Sequence, residues 1–403
     1  MRITRRAGLK GLMAGAATVA MPAIARAQVP DIVIGAPNSL TGGIGEGGQR
    51  TVWALQIAID QINREGGIKS LGGAKLKLVV ADTSSENPTQ AASVARRMID
   101  QDKAILLVGA TASSMTLALQ IESEKSEIPL ITNSYADSIV ARGYKYTFKI
   151  TPQGGGIWNW SMTSAYDLWK VTKGSPPKSA LIFMSNDAVG LIVQKQLPEH
   201  AKTLNLDVPF SQSFQMGLSD PSVAVAPVLR YKPDLIFLGG FPNDIILIIK
   251  ALRGVGVTAP IFGAGPAGYD STGKGLGTAS DRFFAPMIWN WDLAIPGNKE
   301  FVAAYKAAQP NQPYPPANEM LGGSYSIGRI IAQALEKAAS RDPKKLRDVL
   351  ATTEFTNLPM PATKIKFGDN GLNIHNVGVL AEWIKGEIRT VWPKELQTVQ
   401  PLL

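Results

Sequence analysis

The 403-residue sequence has no cysteine and only two histidines, His200 and His375. Without thiols the chain forms no disulfide and has neither a thiolate nucleophile nor a thiolate metal ligand. Because the two imidazoles are far apart in sequence, a zinc site or a histidine-based catalytic triad is poorly supported. We therefore expect no metal and no cofactor, and the lack of cysteine is compatible with an oxidising compartment.

The beginning of the chain also lacks a long, strongly apolar run. Residues 1–27 combine a basic start with a weakly apolar middle that Pro22 interrupts. This falls short of the roughly 20 apolar residues that a transmembrane helix needs. A small-x-small pattern predicts an export signal cleaved near Ala27. Residues 4–10 resemble the twin-arginine motif, with Gly8 at the usual bulky apolar position. We therefore expect a periplasmic protein.

The excess of positive charge is concentrated in that leader. Residues 1–27 contain no acid and carry five of the formal net charge of +9, which leaves +4 on the rest. The basic isoelectric point thus reflects the export segment, and no nucleic-acid partner is expected. The remaining length, about 375 residues, predicts two domains.

Apolar, strand-like runs alternate with helix-like segments along most of the mature chain. Strands separated by helices are typical of βαβ units with parallel sheets and right-handed crossovers. The runs fall into two series, which predict an α/β fold of two doubly wound parallel-sheet lobes. Two final runs about Lys385-Gly386 predict a hairpin at a sheet edge. The other predicted strands are 31–37, 75–82, 104–110 and 128–134, then 178–186, 208–214, 234–240 and 259–265.

Two G-x-G-x-x-G matches raise the possibility of nucleotide binding. The first uses Gly43, Gly45 and Gly48, but its loop is too long for the tight dinucleotide turn. The second, at 263–268, is not followed by a predicted helix. Nucleotide binding is therefore disfavoured.

A secreted α/β enzyme is also disfavoured, although it remains an alternative. No G-x-S-x-G elbow occurs. Acids do follow the predicted strands, but most stand where caps and turns favour aspartate. These acids are Glu46, Asp82, Asp137, Asp187 and Asp270.

Two features have both a structural and a functional interpretation. Residues 109–114 read GATASS, so Ser113 and Ser114 either cap a helix or hold a ligand at its N–H groups. Tryptophans also occur in two W-x-W pairs, which either pack in the core or line an interdomain pocket. The pairs are Trp158 with Trp160, and Trp289 with Trp291.

Several of these stretches together resemble one family over essentially the whole mature chain. The chain is similar to periplasmic solute-binding proteins of ATP-binding-cassette importers, of the branched-chain amino acid, amide and aromatic compound type. These are Leu/Ile/Val-binding-protein-like, with the type I periplasmic binding fold. The matching stretches are 34–49, 58–99, 107–136, 185–190 and 232–263, of which 62–92 is the most specific.

The resemblance implies two lobes that are joined by three crossovers and close on a small solute. The crossovers are expected near Thr151, Pro286 and Asp369. The expected boundaries are 1–27 for the signal, 31–150 plus 288–368 for lobe 1, and 151–287 plus 369–403 for lobe 2.

The resemblance also places an anion site at the head of the third helix. Ser113 corresponds to the family's serine, with Ser114 beside it, and there hydroxyls and helix N–H groups hold the solute carboxylate. The loop after the next strand supplies Ser134, Tyr135 and Ala136. Ala136 stands at the family's threonine position.

Departures from the family's pattern concern the other end of the solute. Glu46 lies near a first-loop position that often bears an aromatic residue, Val189 replaces a common tyrosine, and Phe241 matches an aromatic contact. The acid that pairs with an α-ammonium group is replaced by Ala267. Because a buried ammonium without an acid is costly, an ordinary α-amino acid is disfavoured unless Glu46 or Asp270 takes that role.

We therefore expect a monomeric solute receptor that binds an apolar or aromatic carboxylate, or an amide, and delivers it to a membrane permease. Branched-chain amino acid binding is an alternative. Another is a ligand-sensing module with the same fold, which passes its signal to a receptor.

Overall fold

The computed structural model describes residues 29–84 and 87–403, so the predicted export signal lies outside the described residues. Strands and helices alternate through most of this range. The strands are β1 Ile32–Asn38, β2 Leu76–Asp82, β3 Leu106–Val108, β4 Leu130–Thr132, β5 Thr147–Lys149, β6 Ser179–Ser185, β7 Asp207–Phe214, β8 Leu235–Gly239, β9 Ile261–Phe262, β10 Phe283–Met287, β11 Glu354–Thr356, β12 Lys364–Lys366, β13 Val379–Ile384 and β14 Glu387–Trp392. The helices are α1 Gly45–Arg64, α2 Pro88–Asp100, α3 Ser113–Ser126, α4 Gly154–Lys173, α5 Ala188–Thr203, α6 Ser222–Tyr231, α7 Pro242–Gly254, α8 Asp270–Leu276, α9 Asn298–Ala308, α10 Met320–Ala338 and α11 Pro343–Thr352.

The first sheet has five parallel strands in the order β2-β1-β3-β4-β5. Its central strands are buried along nearly their whole length. Such strands consist of continuous apolar runs because helices cover both faces of a parallel sheet. Ile34 of β1, for example, pairs with Leu78 of β2 on one side and Leu106 of β3 on the other.

The second sheet has seven strands in the order β14-β13-β10-β9-β8-β6-β7. The five strands β10, β9, β8, β6 and β7 run parallel to one another. Strands β13 and β14 form a hairpin whose turn is Lys385-Gly386, and β13 pairs antiparallel with β10. The predicted hairpin at a sheet edge is therefore confirmed, as is the α/β class with two parallel sheets in two lobes.

The chain passes between the two sheets three times. The first passage lies between β5 and α4, and the second follows Met287, the last residue of β10. The third follows Leu372, which still forms a bridge with Lys149 of the first sheet, and precedes Val379 of β13. The expected domain boundaries stay a prediction at the level of single residues.

Helices that follow the second passage return to the first lobe. Helix α10 packs along α1, and α9 and α11 lie beside this pair. A Cβ built on Gly328 of α10 would lie only 2.5 Å from Ala58 Cβ of α1, so glycine permits this close helix contact. Together α1 and α10 cover one side of the first sheet and bring residues from distant parts of the sequence to its edge.

The tryptophans are mainly structural. Trp158 and Trp289 are buried in the main apolar core. The indole N–H of Trp289 donates to Asn298 Oδ1 over 2.6 Å, and that of Trp291 donates to the Ile388 carbonyl over 2.8 Å. Among the residues that the structure describes, no helix combines the length and the apolar character needed to cross a bilayer.

Candidate functional site

The carboxyl ends of β1, β3 and β4 meet at one edge of the first sheet, where buried polar groups connect them. Asn38 donates from Nδ2 to the Val108 carbonyl, and its Oδ1 accepts the Thr111 N–H, each over 3.1 Å. The Thr111 hydroxyl also lies 3.2 Å from the Thr51 hydroxyl of α1. These bonds fix the loop that leads into α3.

Helix α3 begins at Ser113, directly after this loop. Its N-cap residue, Ala112, offers no side-chain acceptor, so the first N–H groups of the helix have no side-chain cap. The Oγ of Ser113 accepts the Ala136 N–H over 3.2 Å, while Ser114 is exposed. The structure thus joins Ser113 to the β4–β5 loop and leaves a helix N-terminus of the kind that favours an anion.

Ser134 is fully buried, unlike the two serines of α3. Its Oγ donates to the Ala110 carbonyl and lies 2.7 Å from the Thr116 hydroxyl, while its carbonyl accepts from Thr151 at the first passage. This hydroxyl therefore supports the loop before α3 from inside the first lobe. A direct contact between Ser134 and the solute stays a prediction.

The loop that carries Tyr135 is tied to the first passage by a buried lysine. Lys149 donates from Nζ to the Tyr135 carbonyl over 2.9 Å and to the Pro152 carbonyl over 2.8 Å. Burial lowers the pKa of Lys149 to about 7, although nearby Asp137 raises it. Neighbouring Ala136 is buried in a small apolar cluster and contributes its N–H to Ser113.

Of the predicted second-lobe residues, Phe241 faces a loop of the first lobe, whereas Val189 contacts a helix of its own lobe. A Cβ built on Gly43 would lie 3.9 Å from the Phe241 ring, which places this ring against the loop that precedes Glu46. Val189, in the first turn of α5, has its Cγ1 3.4 Å from the Cβ position of Gly154 at the start of α4. Phe241 and Val189 are both partly buried.

Ala267 lies inside the second lobe, and its place in the solute site stays a prediction. Its side chain is buried in the main core against Gly263, and its carbonyl accepts the indole N–H of Trp383 over 2.9 Å. The residue of this loop that reaches the first lobe is Tyr269. A Cβ on Gly47 would lie 2.6 Å from the Tyr269 hydroxyl, so this phenol packs directly on the first turn of α1.

A buried ion pair joins the two lobes beside this contact. The Arg50 guanidinium of α1 is 4% exposed and donates from Nη2 to Asp270 Oδ2 over 3.0 Å. Its Nη1 donates to the Tyr305 hydroxyl over 2.6 Å, and Glu46 Oε1 lies 3.9 Å from Nη2. The other Asp270 oxygen accepts the Ala317 N–H over 3.1 Å. Burial raises the pKa of Asp270 to about 7, although Arg50 acts to lower it.

A second buried acid, Glu319, stands at the start of α10. It is 1% exposed, and its Oε2 accepts the Ile288 N–H over 2.8 Å, whereas Oε1 has no hydrogen-bond partner among the described residues. Burial raises the pKa of Glu319 to about 7, while the Ile288 N–H and the Tyr135 phenol lower it. Burial and the charge of Glu319 raise the pKa of both Tyr135 and Tyr269. Glu319 therefore interacts electrostatically with a phenol of each lobe.

The remaining acids at strand ends serve turns and caps. Asp82 accepts the Leu40 N–H over 2.9 Å, and Asp187 accepts the Val189 N–H over 2.8 Å at the start of α5. Asp137 accepts the Gly154 N–H over 2.6 Å. No group of three or more metal-ligating side chains is found within 29–84 and 87–403.

The structure places Phe241 and Tyr269 of the second lobe against α1 and the loop before it, and it joins Ser113 to the β4–β5 loop. A shared solute site for the predicted residues stays a prediction. The structure adds three buried residues that sequence reasoning missed: Arg50, Tyr269 and Glu319. Arg50 had a sequence signal, since a charged residue interrupts the apolar face of α1. Glu319 had none, because nothing local distinguishes it from an exposed glutamate before a helix.

Comparisons with known proteins identify the same architecture elsewhere. A family model described as periplasmic binding protein matches residues 31–387. A Leu/Ile/Val-binding protein homolog from Brucella abortus (strain 2308) is 25% identical over 382 residues, covering 91% of this chain and 92% of that protein.

Solved structures show the same fold. The branched-chain amino acid transporter substrate-binding protein LivJ from Streptococcus pneumoniae, in complex with isoleucine, has a TM-score of 0.78 at 21% identity. The alignment covers 90% of this chain and 100% of LivJ. A solute-binding protein of an ABC transporter from R. palustris, in complex with benzoate, has a TM-score of 0.73 at 18% identity. The alignment covers 90% of this chain and 95% of that protein.

Proposed function

Because the chain belongs to the periplasmic binding protein family, we propose that it is an extracytoplasmic receptor that captures a small carboxylate-bearing solute between two closing lobes. The family resemblance expected from the sequence is thereby confirmed, and this family consists of solute-binding receptors rather than enzymes. We further propose that the receptor is a monomer, that it performs no catalysis, and that its partner is the membrane permease of an ABC importer.

One observation carries this proposal. The uncapped N-terminus of α3, with Ser113 and Ser114, lies at the carboxyl edge of the first sheet, the edge at which open α/β folds bind ligands. Free helix N–H groups and hydroxyls favour an anion there. From the second lobe, Tyr269 and Phe241 approach the same edge. A solute that contacts both lobes would stabilise the closed arrangement.

The body of the solute has two candidate chemistries. The alanine at position 267 favours an apolar or aromatic carboxylate, or an amide, and the R. palustris neighbour that holds benzoate gives an example of such a ligand. A branched-chain amino acid is the alternative, exemplified by the LivJ complex. Binding of an amino acid requires that another acid in the cleft pairs with its ammonium group, because Ala267 replaces the acid that does so in the family.

A thermal-shift panel of aromatic acids, amides and amino acids tests the proposal. At least one carboxylate should raise the Tm of the mature chain, and the bound compound should be recovered unchanged. Conversion of the compound would instead support an enzyme. If no small carboxylate shifts the Tm, the receptor proposal is contradicted. The proteins that bind the liganded form separate the two receptor roles. If they include a signalling receptor and no permease, the sensing alternative is favoured.

A further inference from the structure

Lys149 is a fully buried lysine at the end of β5, where the chain first leaves the first lobe. Its ammonium group donates to two carbonyls, that of Tyr135 over 2.9 Å and that of Pro152 over 2.8 Å. Among the described residues, no carboxylate lies within ion-pair distance of Nζ. Because a buried charge without partners is costly, these two carbonyls are what keeps the ammonium group in place.

The two carbonyls belong to different parts of the molecule. Tyr135 lies in the loop after β4, which the sequence predicts to contact the solute, and Pro152 lies in the first passage between the lobes. Thr151 strengthens the same link, since its hydroxyl donates to the Ser134 carbonyl. The Lys149 side chain therefore fastens the predicted solute loop to a segment that connects the two lobes.

The backbone of Lys149 brings in the third passage as well. Its N–H donates to the Gly371 carbonyl over 2.8 Å, and its carbonyl accepts the Asn373 N–H over 2.9 Å. Two of the three connections between the lobes thus meet at this one residue. A change in how firmly Lys149 is held would act on both connections.

Asp137 extends the arrangement into the second lobe. Its Oδ1 accepts the N–H of Gly154, the first residue of α4, over 2.6 Å. Burial lowers the pKa of Lys149 to about 7, while the charge of Asp137 raises it. An ammonium group has three donors and binds carbonyls more strongly than a neutral amine does. The neutral amine would keep the geometry but hold the loop less firmly.

We propose that Lys149 is a positioning residue of the receptor, whose ammonium group holds the predicted solute loop and the first passage as one unit and so couples solute binding to the movement of the lobes. The contact between this loop and the solute rests on the proposed function. The link between the loop and the passage does not depend on it.

Hydrogen exchange of the solute-free protein tests the link. Lys149→Met fills nearly the same space but offers no donor to either carbonyl. In this variant we expect the amides of residues 133–138 and 150–156 to exchange about tenfold faster than in the native protein. Native exchange rates in both segments would overturn the inference.

Arg253→Met is the matched control. Arg253 is a half-buried cation that also donates to backbone carbonyls, but these belong to the second lobe: Val257, Ala259 and Asp281. Its substitution should speed exchange near those carbonyls and leave residues 133–138 unchanged.

Calorimetry tests the coupling to the solute, with L-leucine or benzoate as the probe, whichever binds the native protein more tightly at pH 6. The charged form of Lys149 holds the loop more firmly, so affinity should decrease about threefold or more as pH rises from 6 to 8.5. Lys149→Met should bind about tenfold more weakly at pH 6, whereas Arg253→Met should change the affinity less than threefold.

Asp137→Asn is a milder variant that keeps an acceptor for the Gly154 N–H and removes only the charge. Lys149 should then lose its proton more readily, so the decrease in affinity should move to lower pH. Asp270 and Glu319 also titrate near 7, but the groups that shift their pKa do not include Asp137. Asp342→Asn makes the same change at the start of α11, where Asp342 accepts the Lys344 N–H, and should leave the profile in place.

Other ionisable side chains lie on the segments that pack against β5, and Asp137 is the one whose charge acts on the pKa of Lys149. The others are Glu124 of α3, Tyr135 of the loop after β4, and Asp369 and His375 of the third passage. A shift of the profile in Asp137→Asn therefore reports the charge of Lys149.

The outcomes separate the two proposals. If the pH profile of Asp137→Asn matches that of the native protein, or if Lys149→Met loses no more affinity than Arg253→Met, the inference is overturned and the receptor function stands. Should Lys149→Met fail to fold, the profile of Asp137→Asn decides. If neither probe nor the wider carboxylate panel binds, the proposed function falls, and hydrogen exchange still decides the link.

Discussion

Arg50 of α1 and Asp270 of α8 form a buried ion pair of 3.0 Å that connects the two lobes. The guanidinium is held from several sides, by the Tyr305 hydroxyl at 2.6 Å, by Gln312 at 3.3 Å and by the Trp53 ring at 4.9 Å. Since its main anionic partner belongs to the other lobe, this pair exists only while the lobes are together.

We predict that Asp270→Asn shifts the equilibrium towards the open arrangement. The variant keeps the side chain's shape but loses a charged hydrogen bond, so solute affinity should decrease by about 1–3 kcal/mol. Calorimetry with a solute from the panel and small-angle scattering of the solute-free protein measure both effects. Glu199→Gln, which removes only the exposed pair with Lys202, is the control and should change neither. An unchanged affinity in Asp270→Asn would argue against an inter-lobe role.

Gly47→Ala should hinder closure without harming the fold. Alanine is favoured over glycine within a helix, so the Tm of the solute-free protein should stay the same or rise. In the closed arrangement, however, the added Cβ would stand 2.6 Å from the Tyr269 hydroxyl and 3.0 Å from Thr111 Cγ2. We expect a solute affinity at least tenfold lower.

The double variant Gly47→Ala/Tyr269→Phe tests the cause of that loss. Removal of the Tyr269 hydroxyl relieves the closest contact, so the double variant should recover part of the affinity relative to Gly47→Ala. If the affinity losses of Gly47→Ala and Tyr269→Phe simply add in the double variant, the Tyr269 hydroxyl is not the cause of the loss in Gly47→Ala.

Ser113→Ala combined with Ser114→Ala tests the anion site. If both hydroxyls hold a carboxylate, the loss should be about 1–3 kcal/mol of solute affinity, measured by calorimetry. Ser123→Ala offers a contrast on the same helix, because its hydroxyl donates to the Ile128 carbonyl within the first lobe. That variant should lower the Tm and leave the affinity unchanged. Full affinity in the double serine variant would contradict the assignment.

The stability of the solute-free protein should depend on pH through Glu382. Burial raises its pKa from 4.5 to about 7, so between these values the folded protein keeps a proton that the unfolded chain has released. The free energy of unfolding therefore falls as pH rises from about 4.5 to 7, by at most about 1.4 kcal/mol per pH unit from this group.

Glu382→Gln removes this contribution. Its stability relative to the native protein, from denaturant unfolding, should increase between pH 5 and 7 and stay constant above pH 8. A difference that is the same at every pH would show that Glu382 titrates normally in the folded protein.

The sequence predicted the strands well where burial is continuous. The run of β8, for example, is apolar on both faces, as expected for a strand of a parallel sheet that helices cover on both sides. Helix α4 was not predicted, because its first turn is Gly154-Gly155-Gly156 and three glycines disfavour a helix. In the structure, the Gly155 Cβ position is occupied by the end of the Gln196 side chain of α5, which is flexible enough to move aside.

The sequence by itself determined the architecture and the polar edge at which we propose that a ligand binds, because both follow from local periodicity and from the polar loops at strand ends. The position of Ser113 at the start of α3 is of this kind. Only the tertiary structure decided the charge balance of the site. Arg50, Asp270 and Glu319 come from three distant segments, and their burial and pairing arise only when α1, α8 and α10 pack together. Whether a carboxyl is a cap, an ion-pair partner or an unpaired acceptor depends on neighbours that are remote in the chain.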